Sequence, residues 1–320
     1  MKNKVLYILA LVLSALYIQA QTERINFTAP KVYPEGVAFD EKTNTFYVSS
    51  VKTGTIGAVE ANGTYKEFYK DASLKSSFGM KVDAKKNRLW VCISDPNYSE
   101  YSDSSTFKKM ARVIVLDLST GKKVEDINLS ALKPGKHFAN DIVLDDNGNA
   151  YVTDSFSPLI YKIDEKGRAS IFANSPLFGS IDVGLNGLVY HPEGYLLVAH
   201  NTNGSVLKVP LKTSDQVSKV KIENFFPGAD GMLIDNHNNL ILIVNKGIDK
   251  VYQLTSNNNW RSAEVTAVTD AEDRFQNPTT ATVQRGKIFV LNSKMNELSD
   301  STKTPSKEYS LQALVLKPIN

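Results

Sequence analysis

Between Asn140 and Asn174 short apolar runs alternate with polar turns in a regular order. Ile142 to Leu144 is one run, Asp146-Asn147-Gly148 a turn, and Ala150 to Thr153 the next run. Leu159 to Ile163 follows, then a turn at Glu165-Lys166-Gly167, then Ala169 to Phe172. Asn, Asp and Gly tolerate the backbone of tight turns, so β-prone runs spaced by them predict antiparallel strands joined as hairpins. Four such runs in succession predict a meander.

The pattern recurs as EGVAFDEKTNTFYVSS from Glu35, FGMKVDAKKNRLWVC from Phe78, NGLVYHPEGYLLVAH from Asn186 and DGMLIDNHNNLILIV from Asp230. A looser copy, TTATVQRGKIFVLNS, begins at Thr279. With Asn140 the six starts lie at 35, 78, 140, 186, 230 and 279, at intervals of 43, 62, 46, 44 and 49 residues. A four-stranded unit repeating every ~40–50 residues is the signature of a β-propeller. The chain is therefore predicted to be all-β, a six-bladed β-propeller of four-stranded blades. The last blade has a third run at Ser310 to Leu316 but no fourth after it. Arg24 to Phe27 resembles the fourth runs Arg168 to Phe172 and Lys219 to Phe225. This N-terminal strand is predicted to close the ring and remove an open sheet edge. No stretch with helical period and no linker interrupts the pattern, so residues 21–320 read as one domain.

Residues 1–20 do not belong to that pattern. Lys2 and Lys4 precede an uncharged apolar run from Val5 to Ile18, and Ala20 offers a small residue before Gln21. This reads as a signal peptide and predicts export, periplasmic or secreted. The run is too short to span a bilayer comfortably, so no stable membrane span is expected after cleavage. The 37 Lys and Arg and 34 Asp and Glu are interspersed, with a net charge of +3, which argues against a nucleic-acid partner. Cys92 is the one cysteine and lies in an apolar run, so it reads as a small buried hydrophobe and no intrachain disulfide forms.

In a propeller the first strand of each blade lines the axis, and the starts of these strands converge at one face. Read down the registered column, those starts are Glu35, Phe78, Asn140, Asn186, Asp230 and Thr279. Two carboxylates and two carboxamides at equivalent positions would be costly to bury unpaired, and a bound cation removes that cost. Glu35, Asn140, Asn186 and Asp230 offer only hard oxygen donors, which select Ca²⁺, with Mg²⁺ or another divalent ion as alternatives. Taken singly, Asn140, Asn186 and Asp230 also read as ordinary turn residues ahead of a strand. Their shared register favours the metal.

These motifs resemble the senescence-marker-protein/gluconolactonase family, also called the calcium-dependent phosphotriesterase superfamily. The resemblance rests on Pro34-Glu35-Gly36, Asn140-Asp141 with its following Asp-Asn-Gly turn, Asn186-Gly187-Leu188 and Asp230-Gly231-Met232, and covers most of the chain. It implies that Glu35, Asn140, Asn186 and Asp230 hold a catalytic divalent metal. It also implies that Asp230 is the catalytic base or nucleophile, and that the substrate is a small lactone, ester or phosphotriester. The chain departs from the family where Val37-Ala38-Phe39 replaces a Pro-aromatic continuation. It departs again where Phe138 stands in place of the sugar-lactonase arginine, pointing to a less polar substrate.

Topology adds pocket candidates. Phe78 and Thr279 complete the column, Phe138 stands beside it, and the second strands end at the same rim with Asp154, His200 and Asn245. His200 is a candidate auxiliary base; His137, His191 and His237 read as turn or rim residues. The longest insertions, Asp95 to Lys109 and Lys294 to Lys307, both join second to third strands and would flank the mouth. The leading expectation is a calcium-dependent hydrolase in which the metal polarises the substrate oxygen. Alternatives are a binding module with a structural metal and a non-hydrolytic enzyme like strictosidine synthase, which lacks the full ligand set. Oligomeric state is left open.

Overall fold

A computed structural model describes residues 22–300 and 302–319; the signal peptide expected at residues 1–20 lies outside the described residues. The strands form six antiparallel sheets arranged as the blades of a propeller. Blade 1 comprises Val37–Asp40, Thr45–Val48, Ile56–Glu60 and Tyr65–Tyr69. Blade 2 comprises Ser76–Asp83, Arg88–Ser94, Ala111–Asp117 and Lys123–Asn128; blade 3 comprises Ala139–Leu144, Ala150–Asp154, Leu159–Ile163 and Ala169–Asn174. Blade 4 runs Leu185–His191, Tyr195–His200, Ser205–Pro210 and Ser218–Lys219, and blade 5 runs Ala229–Ile234, Leu240–Val244, Lys250–Thr255 and Glu264–Val268.

Blade 6 is closed as expected. Its first three strands, Pro278–Gln284, Lys287–Asn292 and Glu308–Ala313, are completed by the N-terminal strand Arg24–Thr28. Ile25 lies opposite Leu311 and Phe27 opposite Tyr309, so apolar side chains of chain-distant segments meet and join the ends of the ring. Two details differ from the sequence reading. The fourth strand of blade 4 is only Ser218–Lys219, because Lys221 leaves to bridge Ser262 of the next blade. Blade 5 gains a short fifth strand, Lys317–Pro318, from the C-terminal tail.

The core lies between blades. On each inner strand alternate residues face opposite neighbours, as the period of a strand demands. Ala38 and Tyr47 of blade 1 pack with Met80, Leu89 and Val91 of blade 2, and Val143 and Tyr151 of blade 3 with Leu188 and Val198 of blade 4. The opposite face of blade 2 carries Trp90 and Cys92 against Ile142 and Val152 of blade 3. Cys92 is fully buried there, as its apolar run predicted.

The inner strands share one irregularity. In blade 3 Ala139 pairs with Asp154 but Ile142 pairs with Val152, so two residues, Asn140 and Asp141, face the single Thr153. The same two-against-one break holds Asn186-Gly187 in blade 4, Asp230-Gly231 in blade 5, Phe78-Gly79 in blade 2 and Thr279-Thr280 in blade 6. A β-bulge bends the strand and re-aims a side chain. The column read from the sequence is thus the first residue of a bulge repeated in five blades.

Candidate metal centre

Three of the four predicted donors come together on the axis, while Asn140 lies outside the lining of the cavity they form. Glu35, Asn186 and Asp230 line one small axial cavity of about 10 Å³ together with Asp141, Gly36, Gly79 and Gly231. That is roughly the room of one water-sized sphere. The ring is tight because the second bulge position is mostly glycine. A Cβ on Gly36 would lie 2.2 Å from the Phe78 carbonyl oxygen, and one on Gly187 would lie 2.3 Å from that of Asp230. Any side chain at these positions would push neighbouring blades apart.

Each donor is held from behind. The Glu35 and Gly36 backbone N–H groups both donate to Ser49 Oγ, at 3.1 and 2.7 Å. Thr279 Oγ1 donates to the Glu35 carbonyl at 2.7 Å. Asn140 Nδ2 donates to Ser155 Oγ at 2.9 Å, which turns Oδ1 the other way. Asn245 Nδ2 donates to Asp230 Oδ2 and, at 2.9 Å, to the Pro278 carbonyl. Asn186 also hydrogen-bonds Asp230.

What these braces leave open is informative. Among the described residues only four buried side-chain polar atoms find no hydrogen-bond partner in the protein, and two of them are Glu35 Oε2 and Asn140 Oδ1. Both are predicted ligand atoms. A buried acceptor without a donor costs about 1–3 kcal/mol, so two in one ring need a partner. Among the described residues no group of three or more His, Cys, Asp and Glu side chains could hold a metal by itself, so a cation here would need the carboxamides too. Both orphan atoms are oxygens, and the set fits a hard divalent ion.

The electrostatics point the same way. Burial raises Glu35 well above the usual carboxylate range, and the charges of Asp230 and Asp141 add to it. Burial pushes Asp230 up to about 7; Asn245 opposes the shift, Asp141 reinforces it and Asn186 opposes it. Asp141, next to Asn140, was not among the sequence candidates. Burial raises it to about 6 against the Ile142 and Leu188 backbone N–H groups, which donate to it at 2.8 and 3.3 Å, and against Lys81. Three carboxylates crowded at low dielectric strain against ionisation unless positive charge joins them.

The other sequence candidates divide. Asn245 and Thr279 act in the ring as braces. Phe78 and Phe138 are buried and meet edge to face at 4.6 Å, so they form core rather than pocket wall. Asp154 is fully buried with both oxygens taken. Oδ1 accepts from the backbone of Phe138, Phe156 and Ser157, and Oδ2 meets His137 Nδ1 at 2.7 Å and the Tyr161 hydroxyl at 2.9 Å. It locks a loop and does not reach the mouth. His200 is also spent: Nε2 lies 3.1 Å from the Gly179 carbonyl and Nδ1 accepts from the Asn203 N–H, so it offers no free base. His137, expected at a turn or rim, is buried against Asp154.

The first insertion is tied down by hydrogen bonds within itself and to the Lys75 segment. Asp95 is fully buried and accepts from Ser102 Oγ and Thr106 Oγ1, while Ser99 Oγ donates to the Lys75 carbonyl at 2.6 Å. Tyr98, in the same loop, is 37% exposed. The second insertion is tied down by Glu297, whose carboxylate accepts from Tyr33 and Ser306.

Comparison with known proteins supports the architecture. No family model and no curated protein sequence matches the chain. Solved structures do. The chain is similar to the major allergen Mala s 1 of Malassezia sympodialis, with 16% identity and a TM-score of 0.72 over 93% of this chain and 97% of that one. It is similar to virginiamycin B lyase from Staphylococcus aureus, with 13% identity and a TM-score of 0.62 over 92% and 99%. A gluconolactonase from Xanthomonas campestris shows 15% identity and a TM-score of 0.60 over 92% and 91%. The chain thus shares the β-propeller architecture of these structures. At these identities the likeness is one of fold.

Proposed function

We propose that this propeller is a divalent-cation-dependent hydrolase of a small ester, lactone or phosphotriester, with Ca²⁺ as the favoured ion. Glu35, Asn140, Asn186 and Asp230 would hold the ion, which when bound would polarise the carbonyl or phosphoryl oxygen of the substrate. The observation that carries this reading is the pair of buried, unpartnered oxygens Glu35 Oε2 and Asn140 Oδ1, both on predicted ligand residues. Asp230 would take the proton of the attacking water, held in one orientation by Asn245 and Asn186. Thr279 and Ser49 fix the Glu35 backbone at the rim of the site.

The mouth suits a substrate with an apolar body. The loops on the axial-site side expose Tyr98, Ile181, Phe225 and Ile248, at 37, 103, 71 and 46%. Export, as residues 1–20 predict, would place the protein where a calcium site of modest affinity, about 10⁻⁴–10⁻³ M, is sufficient. A second reading, a binding module with a structural ion, draws on the narrowness of the cavity, which leaves substrate to bind above the ring. A panel of aryl esters, lactones and phosphotriesters assayed with Ca²⁺ or with chelator separates the two. Turnover lost on chelation and in Asp230→Asn supports the hydrolase; inertness to the whole panel, with the ion bound, supports the module.

A further inference from the structure

The first insertion meets the connection between blades 2 and 3 at Lys108. This residue has left-handed backbone, φ 53°, a conformation that costs a long side chain energy and persists only where its surroundings fix it. Its N–H donates to the Asp95 carbonyl at 2.8 Å, and its carbonyl accepts from the His137 N–H at 2.9 Å. So pinned, the half-buried side chain reaches two rings, with Nζ 5.3 Å from the centroid of Phe107 and 5.4 Å from that of Phe156. Among the described residues no other lysine stands over two rings. Phe107 is 39% exposed. Phe156 leads inward: its ring meets Phe138 at 5.2 Å, and Ser155 before it holds the predicted ligand Asn140.

Aromatic faces attract an ammonium but leave its three N–H donors free for an acceptor. Among the described residues no oxygen takes those of Lys108. The neighbouring carboxylates are engaged elsewhere: Asp95 with Ser102 and Thr106, Asp103 with Lys75, and Asp154 with His137 and Tyr161. Glu100 lies against blade 1, where its N–H donates to the Lys52 carbonyl. The connection from Leu129 to His137 adds Lys133 and Lys136 and no acid. A cation is thus held in place on an apolar platform with nothing to balance it.

We propose that this corner is an anion subsite, in which Lys108 pairs with a carboxylate whose planar apolar body lies on Phe107 and Phe156. The ammonium supplies charge-assisted hydrogen bonds and the two rings supply contact area. Joined to the hydrolase reading, on which this step rests, the subsite names the substrate class: an ester or lactone with an acid group at the end remote from the bond that is cleaved.

The test is calorimetric titration of the chelator-stripped protein, in which no axial ion can draw a carboxylate, with 2-naphthoate and with the neutral 2-naphthamide. The naphthoate is expected to bind about tenfold more tightly, the scale of hydrogen bonds to a charged group, and the preference should shrink as salt is raised. Lys108→Met should erase the preference and Lys108→Arg should keep it. Lys108→Asn, a residue at ease in left-handed backbone, serves as the neutral variant should Lys108→Met fail to fold. Equal affinities in the wild type, binding of neither compound, or a preference that survives in the neutral variants overturns the subsite. The hydrolase reading is judged separately by the ester panel with and without Ca²⁺; an inert panel beside a preference that Lys108→Met erases upholds the subsite and overturns the substrate class.

Discussion

Each inner strand carries polar residues at both ends, and the two ends treat them in opposite ways. At the turn end of blade 3, Asp145 accepts from the backbone N–H groups of Asn147 and Asn149, from Asn149 Nδ2 and from the Tyr151 hydroxyl. At the turn end of blade 5, Asp235 accepts from the backbone of His237 and Asn239, from Asn239 Nδ2 and from Gln253 Nε2. At the axial end of those same strands, Asn140 Oδ1 has no partner, and neither has Glu35 Oε2 in blade 1. A turn carboxylate gathers N–H donors because the chain folds back around it. The axial bulges instead aim acceptors at one another. Residues that read alike in sequence, Asp and Asn beside a strand, are turn formers at one end and an acceptor cluster at the other.

That contrast can be broken or sharpened by mutation. The largest effect is expected from Glu35→Gln or Asp230→Asn. Each should lower divalent-ion affinity by two to three orders of magnitude, on the scale of about 3–5 kcal/mol for breaking a buried charge pair. Calorimetric titration checks it. Next, Ca²⁺ at 100 times its dissociation constant should stabilise by about 2.7 kcal/mol, roughly 4 °C in Tm for ~300 residues. Protons compete for the same oxygens, and burial holds Asp230 up to about 7 without the ion. A carboxylate with a raised folded pKa favours folding below its unfolded value, about 3.9, and that advantage is lost as pH rises through the folded value. The rise in Tm on adding Ca²⁺ should therefore be greater at pH 8 than at pH 6 in differential scanning calorimetry.

Smaller effects belong to the satisfied carboxylates. Asp235→Asn should cost about 1.5–3 kcal/mol of stability in denaturant titration, because it removes charge-assisted hydrogen bonds, and should leave ion affinity unchanged. A loss of ion affinity there would erase the distinction between the two ends. The smallest effect concerns His137. Burial lowers its pKa, but the hydrogen bond and charge of Asp154 outweigh that and raise it overall. Its stabilisation is then complete below about 6.5, the ordinary histidine value, and is lost as pH rises through the raised folded value. Unfolding free energies measured across that window should show this decline, and Asp154→Asn should flatten it.

The propeller was legible because six copies of one strand-turn pattern fix both blade number and closure. Glu35, Asn140, Asn186 and Asp230 were legible as a column for the same reason. Asp141 was not. Strict alternation puts the neighbour of an axial residue on the other face, and the bulge that breaks alternation leaves no mark in a single sequence. Asp154 and His200 sit at strand ends that the topology brings toward the rim, yet the turns after them fold back and fill their polar atoms from within. Strand order fixes where a residue lies along a blade; local turn geometry decides which way it points.

The most direct measurement is anomalous X-ray diffraction from crystals of the protein grown with Ca²⁺. One ion peak is predicted on the axis, about 2.3–2.6 Å from oxygens of Glu35, Asn140, Asn186 and Asp230. An axis without an ion at saturating calcium, or an ion bound only elsewhere, would contradict the account.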